Sequence, residues 1–248
     1  EYILPEKILK IEGKVINGEY LLKYNANHVF FGEQDGCVME PHSYILFDFG
    51  KEYSGGVKII RYDLATNYQA KIHITFGESA SEALSLLNEK CSCNDHSIRD
   101  DVLSIPFGGE LNFGNTGYRF IKIENVNDIP IYIKQVFGTY IHNNYEVIGS
   151  FKCNDEMINK VWETGVRTIF LNMQDYIYDG IKRDRAVWIG DMHPETSAIL
   201  RLFGKNECVE KSLEFIKENT PATKWMNNTP SYSMWWIKIL YDYYFYTG

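Results

Sequence analysis

The stretch "GSFKCNDEMINKVWETGVRTI", residues 149–169, is where the hydrophobic pattern of the chain changes its period. From here on, the residues that share one helical face are Met157, Ile158, Val161, Trp162, Gly165, Val166 and Ile169. Asn154, just before them, is suited to accept the first free backbone N–H groups of a helix as its N-cap. The stretch therefore predicts that an all-α region starts near residue 151.

Before this stretch, the apolar residues come in short alternating runs bounded by Gly, Asn and Asp. The clearest runs are "SYILFDFG" (43–50), "GVKIIRYDL" (56–64), "YQAKIHITFG" (68–77), "YRFIKIEN" (118–125) and "IYIKQVFGTY" (131–140). Alternation of this kind is typical of half-buried antiparallel strands, and many short strands with turn signals indicate a sandwich or jelly roll. The sequence predicts a β-sandwich domain over residues 1–150 and a helical domain over residues 151–248.

Further helices are predicted over residues 192–203, 207–218 and 233–246. The last of them lies in "SMWWIKILYDYYFYTG", residues 233–248, which is apolar almost all round. A helix of that kind is buried on several sides. Fewer than 100 helical residues are present to cover it, so we expect the helical domain to continue beyond Gly248.

Composition excludes several classes of function. The net charge is −8, and the only basic cluster is the mixed run at 182–185, so nucleic-acid binding is not expected. No run of about 18 apolar residues indicates a membrane helix. The five cysteines are odd in number and scattered, which favours reduced thiols and a cytoplasmic location. Export stays open, because the chain begins with Glu rather than Met.

The most charged part of the chain is "YDGIKRDRAVWIGDMHPE", residues 178–195. Gly180 and Gly190 interrupt the helical phasing, so residues 179–190 are predicted to form a loop between two helices. Asp191 is then suited to cap the second helix, whose first turn tolerates Pro194. Loops held by rigid elements are favoured places for catalytic groups.

Four carboxylates share this stretch: Asp179, Asp184, Asp191 and Glu195. A neighbouring Arg keeps a carboxylate ionised, whereas an apolar wall such as Trp188 raises the pKa of another, so acid and acceptor roles become separated. Arg183 and Arg185 supply the cations. This chemistry is typical of a sugar site. The alternative on residue chemistry alone is a salt-bridged helix connection with a buried Trp.

The segment "DGIKRDRAVWIGD", residues 179–191, resembles a motif of bacterial α-L-rhamnosidases that runs approximately D-C-P-Q-R-D-E-R-L-G-W-T-G-D. Counterparts are present for Asp179, Arg183, Asp184, Trp188, Gly190 and Asp191. The segments "DFGKEYSGGVKI", "FGESASEA", "NDHSIRD", "GNTGYRFIKIE" and "PSYSMWWIKILYDYYFYTG" are also similar to family segments. The resemblance implies a glycoside hydrolase of the family 78 type, with a β-sandwich followed by an (α/α)6 barrel. Residues 151–248 would form the first part of that barrel.

This chain departs from the motif at the general acid. When the motif is aligned from its N-terminal end, Arg185 falls at the position of the family's general-acid Glu, and no acid is left at that position. Counting back from Trp188 places Asp184 there, with one residue deleted between Asp179 and Asp184, and we favour this register because it retains the neighbouring Arg and Trp spacing. Glu195, one helical turn past Asp191, is the second candidate.

The resemblance also implies an inverting mechanism, in which one carboxylic acid protonates the leaving oxygen and a second carboxylate activates water. That base would come from a later helix connection, past Gly248, so the chain by itself would lack useful hydrolase activity. The residues expected to bind the sugar are Asp179, Arg183, Trp188, Asp191, His193 and Trp235. For His193 and the aromatic cluster around Trp235, a role in the core is the alternative.

Two other functions stay open: a catalytically silent carbohydrate-binding or scaffold protein, and an (α/α)6 glycosidase for another sugar. No motif predicts a cofactor or a metal site. "CSC" at 91–93 lacks a second ligand pair at zinc spacing. For Asp95, His96 and Asp100, loop hydrogen bonding is favoured over the alternatives of a cation site or an approach to the barrel. The expected partner is a rhamnose-containing oligosaccharide or glycoside, without nucleic acid or membrane. The sequence does not give the oligomeric state.

Overall fold

The computed structural model describes residues 1–25, 36–62, 69–87, 89 and 99–248. These residues form two compact units, Glu1–Ile141 and His142–Gly248. The first unit contains the strands and the second contains the long helices. The predicted order, an antiparallel β region followed by an α region, is therefore confirmed.

The strands of the first unit belong to one antiparallel sheet. They are β1 (Tyr2–Ile3), β2 (Lys7–Glu12), β3 (Val15–Ile16), β4 (Cys37–Met39), β5 (Tyr44–Arg61), β6 (Ala70–Gly77), β7 (Asp100–Ile105), β8 (Glu110–Asn125) and β9 (Ile131–Tyr140). Among the described residues the sheet order is β3-β4-β9-β5-β8-β6-β7, with β1 added to β9 and β2 added to β5. A short helix, α1 (Ala80–Leu84), follows β6, and a 3-10 turn covers Gly18–Leu22.

The long strand β5 makes the sheet curl. Its first part pairs with β2 and β8, whereas its second part pairs with β9 and β8. The register shifts between Asp48 and Tyr53 and again between Gly55 and Val57, and such irregularities bend a strand and increase its twist. A β-carbon at Gly55 would overlap the carbonyl oxygen of Thr139 on β9. Glycine therefore permits the close approach of β5 and β9 at the bend.

The larger core of this unit lies on one face of the sheet, and a smaller cluster of Leu46, Ala83 and Phe120 lies on the other. Ile72 and Ile74 of β6 are fully buried, whereas Lys71 is exposed and His73, between the two isoleucines, is only partly buried, as the two-residue period of a strand requires. Aromatic rings complete the core, and Tyr118 contacts Phe49 edge-on with ring centroids 5.5 Å apart. Burial of each such side chain stabilises the fold by roughly 1.5–3 kcal/mol.

The second unit consists of α2 (Glu156–Asn172), α3 (Ile189–Phe203), α4 (Glu207–Glu218) and α5 (Pro230–Thr247), with a 3-10 turn at Met226–Asn228. The expectation that Asn154 caps α2 is wrong. The N-cap is Asp155, whose carboxylate accepts hydrogen bonds from the backbone N–H groups of Met157 and Ile158.

Side-chain contacts give the directions of the last three helices. Trp236 of α5 donates a hydrogen bond to the carbonyl of Leu213 in α4, and the hydroxyl of Tyr243 donates one to the carboxylate of Glu210. Helix α4 therefore runs antiparallel to α5. Helix α3 runs parallel to α5, since Trp188 contacts Tyr232 and Arg201 bonds Tyr246. Both α3 and α5 therefore begin at the end of the unit where α4 finishes.

Helix α5 is buried on one side only in this structure. Ile239 and Tyr243 are buried, whereas Ile237, Tyr241 and Phe245 are more than half exposed. None of the helices in the described ranges is long and apolar enough to cross a bilayer.

Candidate functional site

Residues 173–188 connect α2 to α3 and form the base of the candidate site. Hydrogen bonds to other parts of the helical unit hold the start of this connection. Ser212 of α4 accepts the N–H of Ile177 at 2.9 Å, and the amide of Asn143 donates to the carbonyls of Met173 and Gln174. Met173 and Ile177 are themselves buried. The connection is thus fixed to the unit although it contains no helix.

Residues 179–186 form a closed turn within this connection, which we call the carboxylate turn. The N–H of Asp179 donates to the carbonyl of Ala186, and the N–H of Ala186 donates to Oδ1 of Asp179 at 3.0 Å. Asp184 and Arg185 have φ values of 57° and 50°, so two successive non-glycine residues adopt the left-handed region. Such backbone costs energy and is concentrated at functional sites.

Asn227 joins the end of the connection to the turn before α5. Its amide nitrogen donates to the carbonyl of Val187 at 3.0 Å, and its amide oxygen accepts the N–H of Ile189 at 3.1 Å. The second bond satisfies one of the free N–H groups at the start of α3. No motif in the sequence indicates this residue, because its partners are 38 and 40 positions away.

Helix α3 starts earlier than expected, so the predicted cap and loop are wrong in detail. Its N-cap position is Trp188, Asp191 lies in the first turn, and Pro194 lies inside the helix. Gly190 was expected to break the helix, yet it belongs to it. A β-carbon at Gly190 would overlap the ring of Tyr232 on α5, so this glycine permits close helix packing instead of ending a loop.

Among the carboxyl groups of the carboxylate turn and α3, Glu195 has the largest shift in pKa. It is partly buried, and its Oε1 accepts a hydrogen bond of 2.9 Å from the amide of Asn172, the last residue of α2. The pKa of Glu195 is raised to about 7: burial is the main cause, the hydrogen bond from Asn172 opposes it, and the negative charges of Asp191 and Asp179 add to the rise. Glu195 therefore holds a proton close to neutral pH.

Asp179 extends this carboxyl cluster into the turn. Burial raises its pKa, the N–H of Ala186 opposes this shift, and the charges of Asp184 and Asp191 add to it. The structure thus brings together all four carboxylates singled out in the sequence: Asp179, Asp184, Asp191 and Glu195. Asp191 and Glu195 are four residues apart on α3, which places them on the same helix face.

The two arginines of the turn differ in their contacts. The guanidinium of Arg183 lies with Nε 3.6 Å from Oδ1 of Asp184, and its side chain is largely exposed. The guanidinium of Arg185 lies over the ring of Tyr178, 5.7 Å from the ring centroid. Arg183 therefore forms a salt bridge with a carboxylate of the cluster, and Arg185 packs on an aromatic ring.

The aromatic residues expected near the sugar lie where α3 meets α5. Trp188 meets Tyr232 edge-on at 6.2 Å, and the ring of His193 lies 4.6 Å from that of Trp235. Nε2 of His193 also lies 3.2 Å from Oδ2 of Asp242. Hydrogen bonds from Lys238 and His193 lower the pKa of Asp242. His193 and Trp235 thus take part in the contact between the two helices.

The remaining sequence candidates lie elsewhere. Cys91, Cys93, Asp95 and His96 are outside the described residues, and Asp100 lies in β7. Within the described ranges, no group of three or more His, Cys, Asp or Glu side chains is arranged to hold a metal ion.

Chemically, the site combines a carboxylic acid that is protonated near neutral pH with other carboxylates close by. Environments that push the pKa values of neighbouring carboxyl groups apart are the basis of paired acid and base roles. Sequence reasoning missed Asn172, which supports the acid, and Asn227, which holds the connection. Both act across long sequence separations.

Comparisons with known proteins identify a similar domain and a similar curated protein. Residues 146–241 match the model of the bacterial alpha-L-rhamnosidase six-hairpin glycosidase domain. A curated alpha-L-rhamnosidase from Formosa agariphila is 27% identical over 119 residues, which are 48% of this chain and 12% of that protein.

Two solved structures share the fold. A rhamnosidase from Klebsiella oxytoca with rhamnose bound superposes with a TM-score of 0.71 at 18% identity, covering 84% of this chain and 45% of that one. A family 78 rhamnosidase from Bacillus sp. GL1 gives a TM-score of 0.66 at 19% identity, with coverage of 91% and 24%. This chain therefore spans less than half the length of these relatives. It is α-L-rhamnosidase-like, and its match to the family model lies in the helical unit.

Proposed function

We propose that the protein containing this chain hydrolyses terminal α-L-rhamnosides and that the carboxylate turn and α3 supply the proton donor. The observation that carries the proposal is the state of Glu195. Burial beside Asp191 and Asp179 raises its pKa to about 7, within a unit that matches the rhamnosidase glycosidase domain. A general acid works best when its pKa lies near the operating pH.

In the proposed reaction, Glu195 donates its proton to the glycosidic oxygen as the bond from that oxygen to the anomeric carbon breaks. Water adds to the anomeric carbon from the opposite face and gives a proton to a second carboxylate, roughly 6.5–9.5 Å from the first. Because Asn172 donates to Oε1 of Glu195, Oε1 acts as an acceptor and the transferable proton resides on Oε2. The second carboxylate is not assigned to a residue here.

Asp184 is the rival for the role of acid. The sequence register favours it, and its left-handed backbone marks a strained position. Glu195 is supported by its burial, its raised pKa and the bond from Asn172. We therefore assign proton donation to Glu195 and propose that Asp184 orients the turn through its contact with Arg183.

The other residues would bind the sugar. Asp179 and Asp191 carry carboxylates next to Glu195 that accept hydrogen bonds from sugar hydroxyls. Trp188, at the start of α3, would pack on the apolar face and 6-methyl group of a deoxysugar. Rhamnose as the sugar is supported by the family model and the curated relative.

The test compares Glu195→Gln and Asp184→Asn in the whole protein on two substrates: an aryl α-L-rhamnoside with an acidic leaving group and a rhamnosyl disaccharide. Loss of a general acid lowers kcat by roughly 10²–10⁴-fold. The loss is smaller for the aryl substrate, because its leaving group departs with less help from a proton. We expect this pattern for Glu195→Gln, together with loss of the basic limb of the pH profile near pH 7.

Glu214→Gln, at an exposed position of α4, is the control and should leave both rates within about twofold. If Asp184→Asn shows this substrate-dependent loss of kcat and Glu195→Gln does not, the acid is Asp184. If the wild-type protein binds rhamnose without hydrolysing either substrate, the enzyme proposal is wrong and a carbohydrate-binding role takes its place.

A further inference from the structure

A cavity of about 470 Å³ lies between the carboxylate turn and the 219–229 connection that leads from α4 to α5. Ala186 and Val187 line it from one side, and Trp225 and Asn228 line it from the other. A volume of this size is within the usual range of small-molecule sites. The residues assigned to catalysis do not line this cavity, so the proposed reaction leaves it unexplained.

Ala186 connects this cavity to the catalytic carboxyl groups. It lines the cavity, and its N–H also donates to the carboxylate of Asp179 at 3.0 Å. Asp179 in turn contributes to the raised pKa of Glu195. Asn227 binds the backbone of both Val187 and Ile189 and thereby fixes the 219–229 connection against the end of the turn. The cavity is therefore adjacent to the carboxyl cluster and linked to it through Ala186.

The lining suits a sugar ring. Trp225 is 57% exposed, so its indole presents a large apolar surface that nothing in the described structure covers fully. Polar side chains share the walls: Asn219, Thr220, Lys224 and Asn228. The C–H face of a pyranose packs on an indole while its hydroxyls bond amide and ammonium groups. A flat aromatic ring would pack on the indole but would make little use of these amide, hydroxyl and ammonium groups.

Building on the proposed function, we propose that this cavity is the subsite for the sugar attached to the departing oxygen, with Trp225 as its stacking wall. The natural substrate class is then a rhamnosyl oligosaccharide rather than a rhamnoside of a flat aromatic alcohol. Trp225 acts in binding, on the leaving-group side, and takes no part in proton transfer.

The experiment measures kcat/KM of the whole protein for a rhamnosyl-hexose disaccharide and for methyl α-L-rhamnoside, whose leaving group has no ring. For Trp225→Ala we expect kcat/KM for the disaccharide to fall about tenfold, because the packing of one sugar face is lost. The value for methyl α-L-rhamnoside and the inhibition constant of free L-rhamnose should change less than twofold. Trp225→Phe, which keeps a ring, should give an intermediate disaccharide value.

Phe245→Ala is the matched control, since Phe245 is an exposed aromatic residue at the far end of α5. It should leave both substrates unchanged. An equal fall for both substrates in the Trp225 variants, or no fall in either, overturns the subsite while the proposed function stands. Absence of hydrolysis of every rhamnoside by the wild-type protein overturns the proposed function itself.

Discussion

The raised pKa of Glu195 has a consequence for stability as well as for catalysis. Its folded pKa is about 7, against an ordinary value of 4.5. The folded state therefore binds this proton more tightly than the unfolded state does. The contribution is fully present below the unfolded pKa and is lost as the pH rises through the folded pKa, that is, between about pH 4.5 and 7.

Glu195→Gln should remove this pH dependence, because Gln stays neutral and keeps an acceptor for Asn172. We expect the variant to match the wild type in free energy of unfolding near pH 4.5 and to exceed it by up to about 3 kcal/mol at pH 8. Urea unfolding at a series of pH values measures the difference. The free energy of unfolding of Glu214→Gln should change with pH as that of the wild type does. If the free energy of unfolding of Glu195→Gln differs from the wild type by the same amount at every pH, the raised pKa is contradicted.

At the scale of elements, two helical glycines are expected to respond in opposite ways to the same substitution. A β-carbon at Gly165 in α2 meets nothing within 4 Å, whereas one at Gly190 in α3 overlaps the ring of Tyr232. Gly165→Ala should therefore stabilise the fold by roughly 0.5–1 kcal/mol through helix propensity. Gly190→Ala should destabilise it by roughly 1–3 kcal/mol through overpacking.

Chemical denaturation of the two variants under identical conditions tests this prediction. A gain in stability for Gly190→Ala would mean that α3 and α5 do not pack closely there, and a loss for Gly165→Ala would mean that a side chain at position 165 is not tolerated. The pair also explains why the sequence placed the start of α3 too late. A glycine predicts a helix break by its backbone propensity, but contact with a second helix can favour it inside a helix.

At the scale of the whole molecule, the 248-residue chain expressed alone is expected to show no turnover of an aryl α-L-rhamnoside. The chain spans 12% of its curated relative and 45% of the Klebsiella oxytoca structure, and the resemblance places the base in a later helix connection. A sensitive release assay on the purified chain is the measurement, with the Klebsiella oxytoca rhamnosidase as the positive control. Robust turnover by the 248 residues would show that both carboxylates already lie within them.

The sequence by itself was sufficient for the order of the β and α regions, and it led to the prediction that the site lies between residues 179 and 195. The change from a two-residue to a 3.6-residue hydrophobic period near residue 150 is a local property, and so is the concentration of carboxylates between 179 and 195. These features depend on neighbours along the chain. Tertiary contacts do not need to be known for such predictions.

Only the tertiary structure distinguished among the four carboxylates. The sequence register favoured Asp184, whereas the fold buries Glu195 beside Asp191 and Asp179 and supplies Asn172 from another helix. The same holds for Asn227, which reaches back 38 and 40 residues to the start of α3. Desolvation and charge coupling depend on distances through space, and the hydrophobic period of a chain does not encode those distances.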